Sequence, residues 1–175
     1  MIKSDLKTVV IIPAYNEAGS IAEVINHIPA TFREHVIVVD NCSTDETGLI
    51  ARELGAHVTI ALKRGYGSAC LAGIKLARQF NPDVYIFLDV DYSDYPEDMV
   101  EIVRILVEQK VDLVIGSRMR GLAEPGALLP QARIGNWLAT RIMYLRFGHL
   151  YSDLGPFRAI RAKALERLQM RDQNF

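Results

Sequence analysis

Cysteine, histidine and tryptophan are scarce in these 175 residues, at two, four and one respectively. Cys42 and Cys70 stand too far apart for a Cys-x-x-Cys pair and have no histidines at metal-ligand spacing, so a disulfide scaffold and a zinc knuckle are both excluded. They read as ordinary thiols of a reducing compartment, and a cytoplasmic location is expected. His27, His35, His57 and His149 make no catalytic pattern, and neither a Ser-His-Asp order nor a nucleophile elbow is present, which argues against a hydrolase of that type. Long apolar runs are also missing. The opening run ends at Pro13 without a small-residue cleavage site, so it reads as a first strand rather than a secretion signal. The stretch Ile134–Phe147 is too short for a membrane span and is interrupted by Arg141 and Arg146. No repeat or low-complexity segment occurs.

What is present suits a single domain with a sizeable core: half of the residues are hydrophobic. The net charge of −1 hides a division along the chain. Residues 1–117 carry 10 Lys/Arg against 17 Asp/Glu, whereas residues 118–175 carry 10 against 4. Such polarity suits a site in which acids hold a cation and arginines hold phosphate. No nucleic-acid partner is expected.

Five apolar runs rich in β-branched residues, Val9–Ile12, Val36–Val39, Val58–Leu62, Val84–Leu88 and Val111–Ile115, are continuous rather than alternating. That pattern predicts strands buried on both faces of a mostly parallel sheet. Helical segments fall between them. The first carries a capping-box pattern at Ser20 and Glu23 and stops at Pro29; the second starts at Ser43 or Thr44 and ends at Gly55. The third runs from about Gly67 to Phe80, and the fourth has Asp94 as N-cap, with Val100, Val103 and Val107 inward. Alternation of this kind predicts a doubly wound α/β fold with helices on both faces and ligands beyond the carboxyl ends of the strands. After Ser117 come a Gly/Pro-containing loop, Gly121–Pro130, the helical stretch Ile134–Phe147 and a last helix around Ala162–Gln169. With almost nothing behind that helix, the domain 1–175 is expected to be truncated at its C-terminal end.

The polar residues cluster where the strands end. Pro13, Tyr15 and Glu17 follow the first strand, where proline fixes a turn, tyrosine offers a flat face for a base and glutamate offers an acceptor for ribose or base donors. Asp40 and Asn41 end the second strand; Ser43, Thr44 and Asp45 behind them are helix-capping residues, a task that does not need Asp40 or Asn41. Gly65-Tyr66-Gly67 lacks the third glycine of a dinucleotide fingerprint and follows the wrong strand, so it is read as a close turn into a helix. The strongest local signal is Phe87-Leu88-Asp89-Val90-Asp91. Two hard oxygen ligands at a strand end suit Mg²⁺ or Mn²⁺, which keep positions open for water and a substrate diphosphate. Arg118, Arg120, Arg133 and Arg158 offer planar guanidinium groups for phosphate oxygens.

Taken in order, Ile12–Glu17, Val38–Thr47, Leu88–Asp91, Gly116–Arg118 and Asp153–Arg158 resemble the inverting family-2 glycosyltransferases, and within them the dolichyl- or polyprenyl-phosphate sugar synthase branch. The resemblance implies a GT-A type fold in which Pro13, Tyr15, Glu17, Asp40 and Asn41 hold the nucleotide of a UDP- or GDP-linked sugar. Asp89 and Asp91 would hold its diphosphate through the metal, and Arg118 and Arg133 would contact donor or acceptor phosphates. It further implies sugar transfer with inversion to a lipid phosphate, by a protein peripheral at the inner face of a membrane. For a hydroxyl acceptor, Asp153 is the base candidate. The sequence departs from the family pattern at Asn41, where many members have a second Asp, and at Cys42, where they often have Gly. Ile134–Phe147 reads equally as a helix resting on a membrane surface or as one completing the core. The rival readings are a nucleotidyltransferase, which would need a glycine- and lysine-rich loop after the first strand, and a nucleotide-sugar-binding domain without transferase activity.

Overall fold

The computed structural model describes residues 6–91, 94–116, 141, 144–145, 148 and 155–172. The chain alternates β1 (Thr8–Ala14), α1 (Ile21–His27), β2 (Val36–Asp40), α2 (Thr47–Glu53), β3 (His57–Ile60), α3 (Tyr66–Ala77), β4 (Val84–Phe87), α4 (Met99–Glu108) and β5 (Leu113–Ile115). It returns through β6 (Arg158–Arg161) and α5 (Ala162–Leu168). The six strands form one sheet in the order β3-β2-β1-β4-β6-β5. β1 pairs in parallel with β2 and β4, and β2 with β3, whereas β6 runs antiparallel to both β4 and β5.

The continuous apolar runs are explained by burial on two sides. Val10, Ile12 and Ala14 of β1 face a core shared with α1, α2 and α4, while Val9 and Ile11 face the core under α3 and α5. Residues of β1, β2 and β4 remove apolar surface from water on one face or the other, at roughly 25 cal/mol per Å², whereas the edge strands β3 and β5 depart from the expected two-sided burial, with Ile60 and Leu113 exposed. α3 comes close to the sheet because Gly73 has no side chain: a Cβ there would lie 2.5 Å from Ile11 Cγ2 and 2.9 Å from Val39 Cγ2.

Several local expectations are revised. Ser20 sits at the N-cap of α1 without capping it; its hydroxyl donates to Glu17 Oε2 at 2.7 Å, and its backbone N–H, which a capping box would give to Glu23, donates to Glu17 O at 3.1 Å. α2 starts at Thr47, later than Ser43 or Thr44, because the residues before it bond elsewhere. The third helix ends at Ala77 and continues as a 3-10 turn, Arg78–Phe80, closed by left-handed Asn81 before Pro82. A 3-10 turn at Pro96–Asp98 precedes α4, and the face turned inward is Met99, Ile102, Val103 and Leu106, with Val100 exposed. The stretch Ile134–Phe147 lies largely outside the described residues.

β6 was not anticipated, since Arg158-Ala159-Ile160-Arg161 is short and bounded by charges. Its ends are accommodated differently. Arg161 sends Nε to Val111 O at 3.0 Å and a terminal nitrogen to Leu106 O at 2.9 Å, satisfying carbonyls at and beyond the end of α4. Arg158, paired with Phe87 and Ile115, lies at the edge where the parallel strands finish. Replacement of Gly73 by alanine is expected to lower stability by about 1–3 kcal/mol through overpacking against Ile11 and Val39, read as a lower urea midpoint with an unchanged slope.

Candidate functional site

The strand order turns back between β1 and β4: β2 and β3 extend the sheet to one side of β1, and β4 begins the other. A crevice beyond the carboxyl ends is created at such a reversal, because the loops on either side lead away from each other. Tyr15, Asn16 and Glu17 leave β1 there, Asp40 and Asn41 leave β2, and Asp89 and Asp91 follow β4. The backbone holds these ends in register: Asn41 N donates to Ala14 O at 2.8 Å, Leu88 N to Ile11 O at 3.1 Å and Ala61 N to Asp40 O at 3.0 Å.

The first two loops are hydrogen-bonded to one another. Three successive backbone donors of the β1–α1 loop find acceptors on the β2–α2 loop: Asn16 N to Ser43 Oγ at 3.1 Å, Glu17 N to Thr47 Oγ1 at 2.8 Å and Ala18 N to Asp45 Oδ2 at 3.1 Å. In return, Asn16 Oδ1 accepts from Thr44 N at 2.8 Å and from its hydroxyl at 3.3 Å. Asn16 adopts φ 55° and Cys42 φ 63°, the left-handed region that non-glycine residues enter at a cost. The departure from the family's frequent glycine at position 42 therefore falls where glycine is the easiest residue to accommodate. Ser43 and Asp45, expected to cap α2, hold the neighbouring loop, while Asp45 Oδ1 also accepts from Thr47. Asp40, which the cap of α2 does not need, accepts Ser43 N at 2.8 Å on Oδ1.

Asn41 is nine-tenths buried. Its Nδ2 donates to Gly65 O at 3.1 Å, and because a carbonyl can only accept, that bond fixes the amide's orientation. Among the described residues Asn41 Oδ1 is then a buried acceptor with no hydrogen-bond partner. Such a group costs about 1–3 kcal/mol unless a ligand or water donates to it. Beside it, the Arg64 guanidinium lies 3.9 Å from the centroid of the Tyr15 ring, so one face of that tyrosine is covered by a cation rather than open to a base.

Asp89 and Asp91 flank buried Val90, whose side chain packs into the core with α1 and α4 and anchors the segment between the carboxylates. Among the described residues no group of three or more His, Cys, Asp and Glu comes together around a metal position. The chemistry of the pair nevertheless fits Mg²⁺ or Mn²⁺, since both groups are carboxylates and such ions take their remaining oxygens from water and phosphate. Tyr66 and Cys70 of α3 lie within the electrostatic reach of both Asp89 and Arg158. Burial pushes the Cys70 thiol up to about 11, with Asp89 adding to the rise and the Tyr66 hydrogen bond and Arg158 opposing it. Burial likewise raises the Tyr66 hydroxyl. Arg158 is half-buried and bonds Pro156 O through Nε at 3.0 Å. Arg118, Arg120, Arg133 and Asp153 lie outside the described residues.

A doubly wound sheet with one reversed strand, acidic residues after β4 and polar loops over the β1/β4 crevice defines a GT-A type domain. The profile described as glycosyl transferase family 2 matches residues 9–169, and the chain belongs to that family. It is 27% identical over 161 residues to the UDP-N-acetylglucosamine–dolichyl-phosphate N-acetylglucosaminyltransferase of Methanococcus voltae, covering 82% of this chain and 64% of the relative. It is 29% identical over 182 residues to the polyprenol monophosphomannose synthase of Mycolicibacterium smegmatis, covering 94% and 65%. The fold matches glucosyl-3-phosphoglycerate synthase of Mycobacterium tuberculosis in complex with Mn²⁺, UDP-glucose and phosphoglyceric acid, with TM-score 0.71 and 25% identity, over 94% of this chain and 59% of that one. The chain thus spans less than two thirds of the length of each.

The two thiols should behave differently. At pH 8 a disulfide reagent is expected to label half-exposed Cys42 in the native protein, while Cys70 reacts only on unfolding. The folded Cys70 thiol titrates near 11 against an ordinary 9, so its contribution is complete below pH 9 and is lost as pH rises to 11. The fall in urea midpoint over that interval should flatten in Cys70→Ala.

Proposed function

We propose that this domain binds a UDP- or GDP-linked sugar together with Mg²⁺ or Mn²⁺ and transfers the sugar, with inversion, to a polyprenyl or dolichyl phosphate. The observation that carries the reading is the Asp89/Asp91 pair at the β1/β4 reversal, opposite two polar loops already locked into shape. Asp89 and Asp91 would hold the metal, which when bound supplies positive charge to the leaving diphosphate. Asn41 Oδ1 is suited to accept an N–H of the nucleobase, because that bond would remove the cost of a buried, unpaired acceptor. Pro13, Tyr15, Glu17 and Asp40 form the rest of the nucleotide side, with Arg64 over Tyr15 contributing a cation. Arg118 and Arg133 are assigned to the donor or acceptor phosphates.

A lipid-phosphate oxygen is already anionic and needs little general-base help, so direct displacement at the anomeric carbon requires no covalent intermediate. The two lipid-phosphate transferases among the relatives support this acceptor, whereas the synthase crystallised with phosphoglyceric acid points to a small phosphorylated one. For a hydroxyl acceptor, Asp153 is the base in this proposal. Among the described residues no helix is long and apolar enough to cross a membrane. We place the protein at the inner face of a membrane.

Calorimetry with UDP-glucose, UDP-N-acetylglucosamine and GDP-mannose, in Mn²⁺ and then in excess chelator, is expected to show one donor binding in a metal-dependent manner. Asp91→Asn should weaken that binding at least about tenfold, the loss expected of a charged contact, with the unfolding midpoint unchanged. Metal dependence surviving in this variant would overturn the assignment. Donor binding without transfer to any phosphorylated acceptor would identify a binding domain lacking its acceptor side.

A further inference from the structure

We propose that Thr47, backed by Asp45, is a positioning residue for the donor site, acting on Glu17 and Tyr15 through the backbone of the β1–α1 loop. The inference rests on the nucleotide-sugar reading above and adds Thr47, to which the sequence reading gave no role, and Asp45, which it read as a helix cap. Thr47 is fully buried. Its hydroxyl donates to Asp45 Oδ1 at 2.5 Å, which turns a lone pair towards Glu17 N at 2.8 Å. The same carboxylate takes Ala18 N through Oδ2, and Ser43 takes Asn16 N. The carboxylate thus holds both ends of the link, one through Thr47 and one directly.

Two consequences follow from how these donors are used. A run of backbone N–H groups containing a left-handed residue is a ready anion-binding concavity. Here all three donors are occupied by protein oxygens, so this loop has no main-chain cradle at Asn16–Ala18 to offer a phosphate. At this loop, recognition of the donor is left to side chains whose placement depends on the loop's shape. That shape includes the left-handed Asn16, which costs free energy and persists only while its surroundings impose it. Threonine is suited to the central link because it donates and accepts at once, and valine, of nearly the same shape, does neither.

The test compares donor affinity with stability for Thr47→Val, Thr47→Ser and Asp45→Asn, using whichever of the three donors above the wild type binds in Mn²⁺. Asp45 is on the surface, so its variant remains informative if the buried Thr47→Val fails to fold. Well below their unfolding midpoints, Thr47→Val and Asp45→Asn should bind the donor about tenfold more weakly, the loss of a hydrogen bond to an oriented group. Thr47→Ser should bind within about twofold of the wild type, because it keeps the hydroxyl. In turnover with a phosphorylated acceptor the two weakened variants should show a raised donor KM at nearly constant kcat. Unchanged donor affinity in the folded variants, or loss in Thr47→Ser equal to that in Thr47→Val, would overturn the positioning role. Absence of donor binding by the wild type would instead overturn the reading of the site itself.

Discussion

The structure depends on β1 being a strand with no solvent side. It is flanked in the sheet by β2 and β4 and covered on both faces, by α1, α2 and α4 on one and α3 and α5 on the other. From Val9 to Ala14 the strand carries no polar side chain, so the chemistry of the chain is confined to where the strands end. Thr8 to Ala14 therefore work as a fixed axis about which the loops carrying Tyr15, Glu17, Asp40 and Asp89 are placed.

Beyond that axis, the site is held by polar bonds between loops. The β1–α1 and β2–α2 loops share their donors and acceptors through Asn16, Ser43, Thr44, Asp45 and Thr47, and Asn41 ties the second loop to the start of α3 through Gly65. Each bond contributes only about a kilocalorie net, yet an unmade one leaves a group short of a partner. The loops are thereby held in one shape, and among the described residues Asn41 Oδ1 stands out as a buried oxygen without a hydrogen-bond donor. A pre-formed site of this kind spends less of its binding free energy on ordering loops.

The reversed strand β6 completes the arrangement from the other side. A parallel strand at that place would present its far end to the crevice; running backwards, it brings its beginning, and so Arg158, to the edge where β4 delivers Asp89. Opposite charges from the acidic and basic parts of the chain meet there by topology. Among the described residues of the basic part, Arg158 is the one that this reversal sets opposite the carboxyl end of β4.

The sequence by itself determined the alternating elements, the two-faced sheet and the strand-end clusters at Tyr15–Glu17, Asp40–Asn41 and Asp89–Asp91, because continuous apolar runs and the residues that interrupt them are local properties of composition. Asp45 does take Thr47 N at the start of α2 as its spacing suggests, but spacing alone assigns Ser20 to a capping box, Ser43 to the cap of α2, and no strand at all to Arg158–Arg161. Tertiary structure decided otherwise. A serine or aspartate can satisfy a helix end or any other nearby N–H equally well, and the choice goes to whichever donor the sheet register brings within about 3 Å. For Ser43, Asp45 and Thr47 that donor lies 27 to 30 residues away. A strand as short as β6 is likewise stabilised by its two neighbours rather than by its own residues, so only the assembled sheet could specify it.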